Sequence, residues 1–503
     1  MPPHQTLRMT TNENIRRRSF VVFALGLLSF APTVSVAAQQ TGKPPNVLFI
    51  AIDDLRPELG SFGVPYAQTP NLDRLASQGV AFTNHFVQVP TCGASRYALL
   101  TGRSPSVSGV TRSNAAFYSG SSALSAKQLP GAQTFPELFR RSGYRTVLIG
   151  KISHTADGRV FAYNGKGDGR REVPHAWDEL ATPFGPWKRG WGTFFAYANG
   201  RHREDGKGHQ DLMEFVVEKD EDLPDGLMAQ TAIEKLKQLK ADGKPFFLGL
   251  GFFKPHLPFV APKQDWDALA NAKIPPPKYP NRVNSPYWHG SGEFYKYATP
   301  YKKTKPLATK DALTARRAYL ACARYSDRQV GKVLDALERL ELADNTIVVV
   351  WGDHGWFLGE VALWAKHTLF ERAVRSPLII RAPGLVTKPG RRCDALVETL
   401  DIFPTLVEAC GPTFRKTHHP LSGRSLLPLL KNDKQEVRKV AISYWNNAIT
   451  ARTKTHRLIA KQGKNGPTDI ELYELVHGPD PVKNVAADQP DVVKEMLDLL
   501  PRR

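Results

Sequence analysis

Residues Asn46–Ile52 read NVLFIAI and run directly into Asp53-Asp54. Six apolar residues without alternation, cut off by two acids, describe a strand covered on both faces that ends in carboxylates. Working outward, further strands are expected over 145–149, 245–253, 346–351 and 376–381. Helices are expected over 71–77, 134–141 (Pro136 in the first turn) and 311–340. Strands alternating with helices predict an α/β architecture with a largely parallel sheet. Lys151, Lys254-Pro255-His256 and Asp353-His354-Gly355 each follow a predicted strand. Ligands of open α/β sheets bind beyond the carboxyl ends of the strands, so these residues are expected to converge.

The chain has 503 residues, 41 % hydrophobic and 23 % charged, enough for a large core. That composition excludes a disordered, collagen-like or disulfide-knotted chain. Beyond about the first forty residues no apolar run reaches the roughly 18 residues of a membrane span. The start differs. Arg16-Arg17-Arg18-Ser19-Phe20 leads into a short apolar run over 21–30 and then small residues up to Ala37-Ala38. Residues 1–38 thus read as an export signal peptide, and Arg17-Arg18-Ser19-Phe20-Val21 resembles the twin-arginine type, which carries folded proteins. The expected location is periplasmic or secreted, from a bacterium.

The formal charge is +20, with 68 Lys+Arg against 48 Asp+Glu. The leader's four Arg and one Glu account for three of those charges, leaving +17 on the mature chain. Such a surface attracts polyanions. No nucleic-acid motif accompanies it, so nucleic acid is not expected as a partner and an anionic glycan fits better. Of the four cysteines, Cys322 lies in an apolar helical run and reads as core, while Cys393 and Cys410 are free to pair. None has CxxC spacing, which excludes a zinc or thioredoxin-type site. The irregular stretches 158–174 and 274–305 read as a substrate rim. After Leu430 the chain becomes more polar, so a catalytic domain over 43–432 and a smaller C-terminal unit over 433–503 are expected.

Adjacent carboxylates repel, and Asp53-Asp54 with Asp353-His354 form a set that a hard divalent cation would neutralise, Ca²⁺ or Mg²⁺ ahead of Zn²⁺. Between them in the chain, Cys92-Gly93-Ala94-Ser95-Arg96-Tyr97-Ala98-Leu99-Leu100-Thr101-Gly102-Arg103 reads as a nucleophile opening a helix, with Arg96 one turn later on the same face. A helix N-terminus with an Arg favours an anionic group there.

This run resembles the signature C-x-[P/A]-S-R-x-x-x-L-T-G-R of the sulfatases, with Ala94 where Pro is commoner. Asp53-Asp54, Lys151 with His154, Lys254-Pro255-His256, Asp353-His354-Gly355 and Lys366-His367 follow in family order, and Glu471-Leu472-Tyr473-Glu474-Leu475 with Asn484 is similar to the family's tail. Gly352 to Trp356 with Trp364 to His367 looks most like the iduronate-2-sulfatase branch. The resemblance implies an alkaline-phosphatase-like sandwich: a large, mostly parallel sheet flanked by helices, plus a smaller C-terminal α+β subdomain. It implies that Cys92 is oxidised to formylglycine (3-oxoalanine), whose hydrate offers one oxygen to attack sulfur and a second to expel sulfate. It further implies that Asp53, Asp54, Asp353 and His354, with residue 92, hold one Ca²⁺. Arg96 and Lys151 would orient the diol, His154 would act as base, and His256 and Lys366 would grip sulfate and protonate the leaving oxygen. Trp356 would wall a sugar ring or belong to the core. The partners implied are a sulfated sugar, a maturase able to accept Ala94, and the export machinery. Two other readings stay open: a phosphodiesterase or phosphonate monoester hydrolase of the same superfamily, and a non-catalytic binder of sulfated glycans.

Overall fold

The computed structural model describes residues 43–297, 306–432 and 435–501, so the 1–38 leader lies outside the described residues. The central sheet runs Arg391–Glu398, Val80–Phe86, Leu378–Arg381, Thr346–Gly352, Asn46–Ile52, Phe246–Phe252, Arg145–Gly150 and Glu179–Leu180, from edge to edge. All pairings are parallel except those of Leu378–Arg381, which is antiparallel to both neighbours. This α/β sandwich is the predicted fold class.

Asn46–Ile52 sits in the middle, pairing Ile52 with both Phe252 and Gly352. Its residues are wholly buried, and alternate side chains serve two cores. Val47, Phe49 and Ala51 pack with Tyr97, Phe135 and Phe403 from helices Cys92–Thr101, Phe135–Arg141 and Ile402–Cys410. Leu48, Ile50 and Ile52 pack with Leu75, Leu236 and Val330 from Pro70–Ser77, Pro224–Asp242 and Thr309–Arg339. At about 1.5–3 kcal/mol for each large side chain removed from water, burial on both faces drives the sheet together.

The strand expected at 376–381 begins only at Leu378, because Pro377 has no N–H to give the ladder. Strands Val80–Phe86 and Arg391–Glu398 and helix Pro224–Asp242 were not expected. Thr83-Asn84-His85 and Arg391-Arg392 interrupt the apolar runs of the first two, and Lys and Glu scattered along the third hide its buried face. Cys322 is buried core, as read. Cys393 and Cys410 do not pair: both are free thiols, and Cys410 is hydrogen-bonded with Tyr144.

The C-terminal part is an antiparallel sheet of Ala441–Trp445, Ala448–Arg452, His456–Gly463 and Gly466–Glu474, closed by helix Pro490–Asp498. Its Ala441, Ile459 and Tyr473 share a core with Phe86, Val87, Phe357 and Phe370. Ser443 Oγ donates to the Val87 carbonyl at 2.6 Å and the Tyr444 N–H to that of Gln88 at 2.7 Å, just ahead of Cys92. Among the described residues no helix is long and apolar enough to cross a membrane.

Candidate active site

Register brings the predicted residues to the carboxyl ends of the central strands. Asp53 N donates to the Phe252 carbonyl at 3.2 Å, Asp353 N to Ile52 at 3.4 Å and Lys151 N to Gly251 at 2.9 Å. Asp54 takes a left-handed turn (φ 60°) in which its N–H meets Asp353 Oδ1 at 3.0 Å and its carbonyl accepts Tyr319 OH at 2.7 Å. Asp tolerates this conformation better than most residues.

Facing these strand ends is the first turn of helix Cys92–Thr101, all ten residues of which are buried. The helix has no side-chain cap from Thr91; Asn114 Oδ1 accepts the Gly93 N–H at 2.9 Å instead. Ser95 Oγ donates to the Asp353 carbonyl at 2.5 Å, and Arg96 Nε to Asp353 Oδ2 at 3.0 Å. Cys92 Sγ is thereby held 3.3 Å from Asp53 Oδ1, 3.3 Å from His354 Nε2 and 3.5 Å from Lys366 Nζ. Burial, with Asp53 beside it, pushes this thiol well above its ordinary value.

The cations are interleaved with the acids. Lys151 Nζ pairs with Asp53 Oδ2 and lies over the Phe194 ring. Lys366 Nζ pairs with Asp54 Oδ1 at 2.8 Å. Arg96 reaches the Lys151 carbonyl and lies 3.7 Å from Asp53. Burial opposes the charge on Asp53, but Lys151, Arg96, His256 and Lys366 prevail and hold its carboxyl well below the usual range. At Asp54 burial wins over Lys366 and His354, and the carboxyl is pushed up to about 7. His154 is buried, packs on Trp191, and leaves Nδ1 without a hydrogen bond. Burial and the cations Lys151, Arg96 and Lys366 hold it well below the ordinary imidazole value, so it is a neutral base.

His256 Nδ1 lies 2.6 Å from the Leu257 carbonyl, while Nε2 is 3.1 Å from Glu293 Oε1 and 3.9 Å from Asp54 Oδ2. Trp356 is 1 % exposed and packs in a core with Tyr319 and Trp364; it meets the site through Lys366 Nζ, 5.1 Å from its ring centroid, and forms no open wall. The motif reading missed Glu293 and Asn114. Glu293 lies in the 274–305 stretch read as a rim, but no motif singles it out.

The ligand atoms of Asp53, Asp54, Cys92 and His256 lie within 4.8 Å of one another, and so do those of Asp53, Cys92, Asp353 and His354. Asp54 Oδ2 is buried without a hydrogen bond. The three carboxylates are already balanced by Arg96, Lys151 and Lys366. A divalent cation accepted by the free Asp54 oxygen and its neighbours would leave a net positive site, suited to an anion. The residues present fit a hard metal ion.

The profile of the sulfatase family matches residues 45–412, and that described as N-sulphoglucosamine sulphohydrolase, C-terminal, matches residues 352–501. This chain belongs to the sulfatase family. It is 33 % identical over 419 residues to a sulfatase of Formosa agariphila, covering 79 % of this chain and 75 % of the relative. It is 32 % identical over 431 residues to the iduronate 2-sulfatase of Mus musculus, covering 77 % and 73 %. In fold it is similar to the phosphonate monoester hydrolase of Agrobacterium radiobacter, with a TM-score of 0.71 at 22 % identity over 90 % of this chain and 94 % of the other. It is a sulfuric ester hydrolase by family, with a buried cluster of candidate metal ligands.

Proposed function

We propose that this enzyme removes sulfate from a sulfated sugar, with residue 92 as nucleophile after conversion of Cys92 to formylglycine. The observation that carries this reading is the placement of Cys92 Sγ at the opening of a buried helix, 3.3–3.5 Å from Asp53, His354 and Lys366. Asp53, Asp54, Asp353 and His354 would hold one Ca²⁺. The bound ion supplies positive charge beside the sulfate and the attacking oxygen.

The chain's own side chains do the rest. Arg96, fixed by Asp353, and Lys151, fixed by Asp53, orient residue 92 and offset anionic charge at sulfur. His256 and Lys366 bind sulfate oxygens, and one of them delivers a proton to the leaving alcohol. His154, neutral, takes the proton that frees sulfate from residue 92. The match to iduronate 2-sulfatase supports a 2-sulfated uronate as the first sugar to try. Export through the 1–38 leader, followed by a catalytic part over 43–432 and a C-terminal subdomain over 433–503, completes the proposal. Maturation of Cys92 then precedes export.

The test is the mass of the residue-92 peptide from the native host, with turnover of matched aryl sulfate and aryl phosphonate esters. An aldehyde and faster sulfate turnover are expected. An unmodified thiol, or a preference for the phosphonate, overturns the proposal. Glycan binding unaltered in Cys92→Ala, with no turnover by either protein, would mark a binder instead.

A further inference from the structure

Glu293 is the one carboxylate at this site that no motif explains. It projects from the 274–297 stretch, and its side chain is 23 % exposed where those of Asp53 and Asp54 are 0 % and 1 %. It therefore lies on the solvent side of the cluster, against the two groups proposed to grip sulfate. Oε1 is 3.1 Å from His256 Nε2 and Oε2 is 3.5 Å from Lys366 Nζ.

The backbone around it is anchored. Ser291 Oγ accepts the Trp364 N–H at 2.9 Å, and the Phe294 ring stacks on Trp364 with centroids 4.9 Å apart. Ser291 and Phe294 are both buried, so the backbone that carries Glu293 is fixed and only the side chain's own torsions can move the carboxylate. Its Oε2 is already buried without a hydrogen bond. Once a sulfate shares His256 and Lys366, two anions compete for those donors. A buried carboxylate short of donors is costly, and a donor brought by the ligand relieves that cost.

We propose that Glu293 is a specificity-determining residue whose carboxylate accepts an O–H or N–H from the carbon adjacent to the sulfated one. This rests on the sulfatase reading above and narrows its substrate. The carboxylate touches both sulfate-gripping groups, at 3.1 and 3.5 Å, from their solvent side, so the part of a sugar next to its sulfate ester is the part that would meet it. A hydroxyl or ammonium there is favoured; a carboxylate there is repelled. A 2-sulfated uronate satisfies the rule, since its neighbouring C3 carries a hydroxyl and its acid lies farther round the ring at C5.

The experiment uses the full chain with Cys92→Ala, which has no nucleophile at that position and so binds without turnover. Calorimetry compares a methyl 2-O-sulfo-uronoside with its 3-deoxy counterpart. We expect the hydroxylated sugar to bind at least tenfold tighter. Glu293→Ala should reduce that preference below threefold, while Glu293→Gln, which keeps a carbonyl acceptor, should retain part of it. Equal binding of the two sugars, a preference that survives Glu293→Ala, or no binding of either sugar overturns the proposal. The parent reading is judged separately: matured wild-type protein that turns over an aryl sulfate, which has no vicinal hydroxyl, remains a sulfatase whatever Glu293 does.

Discussion

Glu371 is 3 % exposed and takes Arg457 at 2.6 Å and Arg452 at 3.4 Å, joining the catalytic sheet to the C-terminal one. Burial alone would raise its carboxyl; Arg457, Arg452 and Arg375 reverse that and hold it at about 2. A depressed carboxyl stabilises the fold fully above its ordinary value of 4.5, and that contribution fades as pH falls toward 2. Glu371→Gln strands two buried guanidiniums and should cost about 3–5 kcal/mol near neutral pH, read from denaturant unfolding. The gap between wild type and variant should close between pH 4.5 and 2; a gap independent of pH would contradict this account. Legibility at this scale followed motif membership. Asp53, Cys92, Lys151 and Asp353 stand in short runs whose residue types have few other uses together. Glu371 and Glu293 are single acids in unremarkable local sequence, and only tertiary placement gives them partners.

Helix Cys92–Thr101 is buried along its whole length, so its position is set by close fit. A Cβ on Gly93 would come within 2.4 Å of the Asn114 Cα, a backbone contact that no rotamer relieves. Gly93→Ala must push the first turn, and residue 92 with it, away from the Asn114 cap. We expect kcat to fall by at least a hundredfold while the thermal midpoint drops by only a few degrees, a split checked by kinetics beside calorimetry. A midpoint loss as severe as the activity loss would show that the helix, and not merely its first turn, had been displaced. Elements of continuous apolar sequence, such as Asn46–Ile52 and Thr346–Gly352, were readable because a strand covered on both faces leaves that record. Val80–Phe86 was not, because Thr83 and Asn84 lie only partly buried near the sheet edge and mimic a loop.

Across the whole molecule the C-terminal sheet is a wall of the catalytic part, not an appendage on a tether. It shares a core with Phe86, Phe357 and Phe370, and Arg372 pairs with Asp480. A chain ending at residue 432 exposes that core and leaves Glu371 without Arg452 and Arg457. It should be recovered aggregated or as a protease-sensitive species; a soluble, cooperatively melting fragment would refute this. The chain becomes more polar after Leu430, but composition carries no information about which surface a sheet covers. The bonds from Ser443 and Tyr444 to Val87 and Gln88 bridge more than 350 residues: Ser443 reaches back across a separation of 356. Translation proceeds from the N-terminus, so the stretch leading into Cys92 waits for its cover until nearly the entire polypeptide has left the ribosome. The thiol, 4 % exposed in the finished fold, therefore has an interval of access during synthesis that closes when the last strands dock. A modifying enzyme of the kind proposed above must reach residue 92 before those strands dock.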